Sequence, residues 1–375
     1  MNPLTKLHEY GQSIYLDEIR RSWIHEGQLQ RLIDNDGLRG VTSNPAIFQK
    51  AIVQSSDYDQ AISAHARAGS SALQTYEDLV VSDIQGAADL FRPMYDASDG
   101  EHGYVSLEVS PELAHDEEGT VAEGLHLWRL LDRPNVFIKV PATLAGVPAI
   151  RRLIAAGVNV NVTLIFGLER YRQVIDAYLS GLEERSKTGA DVSRVASVAS
   201  FFLSRIDVMV DPLLDRVADN GGPQASGAAQ LRGVAAVASA KRAYQIYLSE
   251  FVNGARFAAL AAAGATPQRL LWASTSSKDP AYSDLKYVEP LIGQDTINTL
   301  PLDTLEAYRD HGEPAADRVL EGAADAQALL TALSGVGVDL DAVVAKLEEE
   351  GVDKFIKPYR SLLATLEEAL GGAGA

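Results

Sequence analysis

The chain has 375 residues, 46% of them hydrophobic, and no cysteine, so it can build a large core but cannot use disulfides, thiolate metal sites or a cysteine nucleophile. Its formal net charge of −18 argues against binding nucleic acid or an anionic membrane surface. Small anionic substrates stay open, because a few local cations can hold a phosphate inside an acidic protein.

The opening "MNPLTKLHEYGQSIYLDE" lacks the apolar core of a signal peptide. The most alanine-rich segment, "FAALAAAGA", is far too short to span a bilayer. A cytoplasmic protein with no membrane partner is expected. The first predicted strand is "SIYLDEI" and the second "LRGVTSN". Residues 45–103 then exceed one crossover helix, so extra helices are expected there. "YVSLEVS" is the third strand. Thr120 and Glu123 have capping-box spacing before the apolar positions Val121, Leu125 and Trp128, and Pro134 blocks continuation.

"VFIKVPA" is the fourth strand; in "LAGVPAIRRLIAAG" Ile150, Leu153 and Ile154 share a helix face and Gly157 is a C-terminal cap. "VNVNVTLIF" and "RVASVASFF" are the fifth and sixth strands. The connection 203–268 again has room for additional helices, with "DNGGPQASGAA" reading as a flexible loop. Further along it, Ala240, Ala243, Tyr244, Tyr247 and Phe251 form a core stripe that stops near Gly254. "RLLWAST" and "INTLPLD" complete eight strands, and the tail from about residue 311 reads as charged helix, with "AVVAKLEEEGVDKFIKPYRSLLATLEEAL" as one or two helices and "GGAGA" frayed.

Eight strands alternating with helices predict an α/β fold, a (β/α)8 barrel with extra helices and a C-terminal helical extension. A doubly wound open sheet is the alternative. No G-x-G-x-x-G or P-loop follows the first strand, so no nucleotide cofactor is expected. The seven histidines lack ligand spacing, so no metal is expected either. We expect one domain over residues 1–375: a barrel over about 10–310, with helices 311–370 packed on it.

Lys139 is the odd residue of "NVFIKVPAT". Val136, Ile138 and Val140 alternate with Phe137, Lys139 and Pro141, leaving a strand apolar on both faces. A lysine there either guards a sheet edge or is desolvated into a neutral amine that can attack a carbonyl.

The late strand positions help to decide. They carry Asp17, Asn44, Glu108, Lys139, Asn161, Thr163, Ser200 and Ser274, and barrel active sites lie at the C-terminal strand ends. Asn and Thr at such positions also cap helices, but eight polar ends together need a polar purpose. Asp17 suits proton transfer at a substrate hydroxyl, and Glu108 with Thr163 suits holding a water during imine turnover. Asn44 and Asn161 offer donors and acceptors for the hydroxyls of a small keto fragment. Arg205 and Lys278 are placed to meet a phosphate.

This set resembles the transaldolase family, Schiff-base enzymes of the non-oxidative pentose phosphate pathway. "GVTSNPAIF", "FIKVPAT", "NVNVTLIF" and "SFFLSRID" occur in the family's order, and the likeness runs from about residue 10 to 310. It implies Lys139 as the imine-forming lysine, Asp17 as the acid/base, and Glu108 with Thr163 as the water-holding pair. It implies sugar contacts at Asn44, Asn161 and Ser200, and phosphate contacts at Arg205 and Ser274. Many relatives carry an arginine two residues after that serine; here it is Ser276, with Lys278 as the substitute. Lysine binds as a point charge, without the bidentate fork.

The nearest rival is a fructose-6-phosphate aldolase, similar except for a glutamine in place of the water-holding glutamate and a tyrosine in place of a nearby phenylalanine. Glu108 and Phe202 at those positions favour transfer. A silent barrel that only binds sugar phosphates is the non-enzymatic alternative. Sugar phosphates are the expected partners, and a monomer or homodimer the expected assembly.

Overall fold

The computed structural model describes residues 2–372. Eight strands stand where the sequence predicts them: β1 (Gln12–Leu16), β2 (Gly40–Val41), β3 (Tyr104–Glu108), β4 (Val136–Pro141), β5 (Val160–Ile165), β6 (Ser197–Phe202), β7 (Arg269–Ala273) and β8 (Thr296–Leu300). Each pairs in parallel with the next, and β8 returns to β1 to close a barrel. The (β/α)8 expectation holds, and the open sheet does not. On β4, Val136, Ile138 and Val140 are fully buried, covered by the helices Glu117–Leu131 and Gly146–Ala156. A strand covered outside by helices and filled inside by side chains reads as apolar on both faces. Since β4 is paired on both sides, there is no edge for Lys139 to guard.

Register lines up the functional strands. Glu108 pairs with Lys139 and Lys139 with Asn161, so three polar residues occupy one row across β3, β4 and β5. The β5–β6 ladder slips between Val162 and Ile165, and Leu164 sits in the left-handed region at φ 59. A left-handed L-residue costs about 1–2 kcal/mol, so this bulge beside Thr163 is maintained by its surroundings. At Gly40 a Cβ would lie 2.5–2.6 Å from the Tyr15 ring and the Tyr104 carbonyl. Only glycine lets β2 pass between them.

Both long connections are helical. Pro45–Val53, Asp59–Ala68 and Ala72–Ala97 occupy the first; Ser204–Asp219, Ala225–Gln230, Ala235–Tyr247 and Ala255–Ala261 occupy the second. Gly157 caps its helix at φ 91 as expected, and the stripe through Phe251 is buried.

Three local expectations need correction. Thr120 and Glu123 are not a capping box: the helix starts at Glu117 with Asp116 as its cap, accepting from the Gly119 N–H. Thr120 instead donates to the Leu113 carbonyl, and Glu123 accepts from the Ser110 N–H. The "DNGGPQASGAA" segment is only partly loop. Ala225–Gln230 forms a helix, and Gln224 ties its start to the Gly335 carbonyl. In the tail, one helix runs from Leu340 to Gly372, so the first glycines of "GGAGA" are helical; residues 373–375 lie outside those described.

That C-terminal helix crosses the C-terminal ends of the strands. It packs on the helices after β2 and after β6 and touches β5. Leu347, Val352, Phe355, Tyr359, Leu362 and Leu366 form its buried stripe. Gly351 permits the approach, since a Cβ there would already press on Leu164 at 3.1 Å. Among the described residues, no single helix is long and apolar enough to cross a membrane.

Candidate active site

The predicted strand-end residues meet at one cavity. It is about 70 Å3 and lined by Asp17, Asn44, Lys139, Thr163, Ser200, Phe202, Arg205 and Ser274, joined by Thr42, Ala273, Thr299 and Phe355. Glu108 and Asn161 lie just outside this lining, and Lys278 is elsewhere.

Lys139 is 4% exposed. Its Nζ donates to the Ser43 carbonyl at 3.1 Å and stands 3.3 Å from Glu108 Oε2. Among the described residues, neither Glu108 oxygen has an aligned hydrogen-bond donor, and the buried Thr163 Oγ1 has no partner either. Burial raises the Glu108 carboxyl above its ordinary value, while the Lys139 charge pulls it back. A carboxyl so poised, within reach of an amine, can pass protons to and from the nitrogen of a forming imine.

Asp17 approaches from β1. Thr42 Oγ1 donates to Asp17 Oδ1 at 2.7 Å and lies 2.6 Å from Thr299 Oγ1. Burial raises the Asp17 carboxyl, opposed by Lys139 and by the Thr42 bond. On its other side a larger cavity of about 390 Å3 opens past Glu18, Arg20 and Lys50.

The amide and hydroxyl residues are less free than the sequence suggests. Ser200 donates to Asn161 Oδ1 at 2.7 Å, and Asn161 Nδ2 donates to Ser106 Oγ at 3.1 Å. Asn161 therefore reaches the cavity through Ser200. Asn44 has both roles that its position allows: its oxygen caps the helix Pro45–Val53, accepting from the N–H groups of Ala46 and Ile47 at 3.0 Å. Its amide nitrogen is the part left for a ligand.

Arg205 follows β6 and stacks over the Phe202 ring, 5.4 Å from its centroid. Its Nη1 is buried without a partner among the described residues, and burial lowers its pKa against the pull of Asp17 and Glu108. A buried guanidinium nitrogen with no partner is costly unless a ligand completes it. Ser274 shares a 2.9 Å bond with Ser204 Oγ and is left-handed at φ 55. Lys278 is exposed and donates to Ser276 Oγ at 2.6 Å, without lining the cavity.

Four contributors escaped the sequence reading: Thr42, Thr299, Phe355 and the Ser43 carbonyl. The strand-end rule that found the others would also have found Thr42 in "GVTSN" and Thr299 in "INTLPLD". Phe355 had no signal, because a phenylalanine in a helical stripe reads as core.

The transaldolase/fructose-6-phosphate aldolase family model matches residues 14–366, nearly the whole chain. The chain belongs to that family. Among similar proteins, one named transaldolase from Saccharopolyspora erythraea is 50% identical over 99% of this chain and 98% of its own length. Another transaldolase, from Thiobacillus denitrificans, is 49% identical over 98% of this chain and all of its own length. A protein named transaldolase 2 from Nostoc is 47% identical over 98% of this chain and 97% of its own. The family match extends into the C-terminal helix, beyond the stretch whose motifs carried the resemblance.

Proposed function

We propose that this protein is a transaldolase. It moves a three-carbon dihydroxyacetone unit from a ketose phosphate, fructose 6-phosphate or sedoheptulose 7-phosphate, to erythrose 4-phosphate or glyceraldehyde 3-phosphate. This places it in the non-oxidative pentose phosphate pathway, as a cytoplasmic monomer or homodimer. The observation that carries the reading is Lys139 itself, a buried amine at a barrel mouth, 3.3 Å from an otherwise unpartnered carboxylate.

Lys139 adds to the C2 carbonyl of the donor, and loss of water gives an imine. Glu108 and Thr163 hold the water that carries protons in these steps and in the final hydrolysis. Asp17 takes the C4 hydroxyl proton as the C3–C4 bond breaks, and returns one to the acceptor's aldehyde oxygen when the new bond forms. Ser200, backed by Asn161, and Asn44 orient the sugar hydroxyls. Phe202 supports Arg205, which binds the phosphate with Ser274, while Lys278 adds a charge from the rim.

Transfer is favoured over simple aldol cleavage by Glu108 and Phe202, the residues at which the aldolases of this family resemblance differ. A silent sugar-phosphate-binding barrel is disfavoured by an amine so close to a carboxylate that can serve it. Borohydride treatment with fructose 6-phosphate, followed by mass mapping, should place a three-carbon adduct on Lys139. No adduct, or one on another lysine, would remove the reading.

A further inference from the structure

The cavity over Lys139 is about 70 Å3, far below the roughly 300–1,000 Å3 of pockets that enclose small ligands. Eleven of its twelve lining residues lie on the barrel strands or within three residues of a strand end. Ladder bonds on both sides of every strand hold the strand residues among them in place. The twelfth is Phe355, from the C-terminal helix. It is 4% exposed, and Lys139 Nζ lies 5.4 Å from its ring centroid. Pro358, one turn on, has no N–H to donate to the Lys354 carbonyl, so the turn carrying Phe355 lacks a helix bond. The wall directly over the amine is therefore the one that comes from outside the barrel, on a helix turn one bond short.

We propose that Phe355 roofs the reaction chamber and sets how the three-carbon unit divides between an acceptor aldehyde and water. The inference rests on the imine reading of Lys139. After C3–C4 cleavage the unit remains on Lys139 as an enamine. In transfer, its C3 bonds to the acceptor carbonyl carbon, and the acceptor oxygen takes a proton. In loss, C3 takes a proton instead, one water adds to C2, and the C–N bond breaks to release dihydroxyacetone and the free amine. Glu108 and Thr163 deliver the single water that product release needs from the strand side. The phenyl ring closes the solvent side, where water would otherwise compete with the acceptor. The turn swings out to admit sugars and closes behind them.

Full-length Phe355→Ala and Phe355→Leu are the test. Dihydroxyacetone release from fructose 6-phosphate without acceptor is measured beside transfer to erythrose 4-phosphate. The ratio of release to transfer should rise about tenfold in Phe355→Ala and a few-fold in Phe355→Leu, which keeps most of the volume. A ratio unchanged from wild type, or both rates falling by one factor, would overturn the roof. If Phe355→Ala does not fold, the ratio in Phe355→Leu decides. Borohydride adducts run alongside keep the two readings apart. A wild-type chain that forms none refutes the imine, whereas a normal Lys139 adduct with an unchanged ratio refutes only the roof.

Discussion

Lys139 and Lys286 are both buried against a carboxylate, 3.3 Å from Glu108 and 2.8 Å from Asp207. The decisive difference lies at the carboxylates. Asp207 is saturated: Oδ1 accepts from the Ala236 N–H at 2.9 Å, and Oδ2 accepts from the Tyr287 hydroxyl at 2.9 Å as well as meeting Lys286. Lys286 also lies 3.3 Å from the Tyr282 ring centroid. Glu108 has no aligned donor, and Thr163 Oγ1 and Arg205 Nη1 nearby are unpartnered too. Lys286 Nζ makes no aligned hydrogen bond of its own, so the two sites part at the carboxylate. Buried acceptors are normally satisfied, which makes the saturated Asp207 architecture and leaves the bare Glu108 awaiting a substrate. Burial of a lysine alone does not separate these cases. The state of its carboxylate does.

The sharpest way to break the comparison is to remove each amine. Lys139→Met should fold and lose essentially all transfer activity and all borohydride adduct. The adduct should persist in Lys286→Met. An adduct retained in Lys139→Met would mean that the saturated cluster, or another lysine, does the chemistry.

Glu108→Gln should give the next largest effect, a fall of about 10²–10⁴ in turnover. It also carries a stability signature. Burial raises the Glu108 carboxyl from its ordinary 4.5, so between 4.5 and the higher folded value the native state binds more protons than the unfolded state. Unfolding free energy then falls as pH rises through that window. Glu108→Gln should reduce this slope in denaturant melts taken across the acidic range. The Asp17 contribution, of the same sign, should remain. An unaltered slope with unaltered turnover would make Glu108 a bystander.

The same contrast explains what could be read before the structure. All eight strands were legible, because a barrel strand buried on both faces writes a short apolar run with polar residues at its catalytic end. Asp17, Glu108, Lys139, Thr163 and Ser200 follow from that rule, since each sits late in its own strand or just past its end, and Arg205 follows three residues beyond β6. The capping error had a local cause: Thr120 and Glu123 match the box by spacing, but Asp116 starts the helix one turn earlier and takes the cap. Lys278 matched by position along the chain, yet the loop after β7 carries it to the surface. Phe355 was invisible, because its role depends on where a distant helix crosses the mouth, and periodicity reports only that a face is buried. The free or saturated state of a carboxylate is likewise a tertiary property, and nothing local to Glu108 or Asp207 writes it.

Arg205→Ala tests the other unpartnered group. Its guanidinium can offer a phosphate two charge-assisted bonds. Their loss should raise KM for phosphorylated donors by the equivalent of about 2–3 kcal/mol, roughly 30- to 150-fold. Unphosphorylated dihydroxyacetone donors should change far less. Comparing kcat/KM for both donor types decides it: equal losses would make Arg205 structural, with the phosphate bound elsewhere, Lys278 and Arg20 being the cations then to examine.

The smallest effect on turnover should come from Lys286→Met, which breaks the saturated pair. Asp207 would keep its bonds from Ala236 and Tyr287 but lose its counter-charge, and breaking a buried pair from one side costs roughly 3–5 kcal/mol. The Lys286 side chain is 13% exposed, so the lower end, about 3 kcal/mol, is expected in denaturant melts. Asp207 belongs to the helix Ser204–Asp219, whose first turn carries Arg205, so a small rise in KM for phosphorylated donors is the only kinetic change expected. The imine steps at Lys139 should proceed at the wild-type rate, and kcat should stay within about twofold once the protein is assayed well below its lowered melting temperature. A large fall in kcat with intact folding would show that the Lys286 cluster acts on the chemistry, and that satisfaction of the carboxylate does not separate architecture from function here.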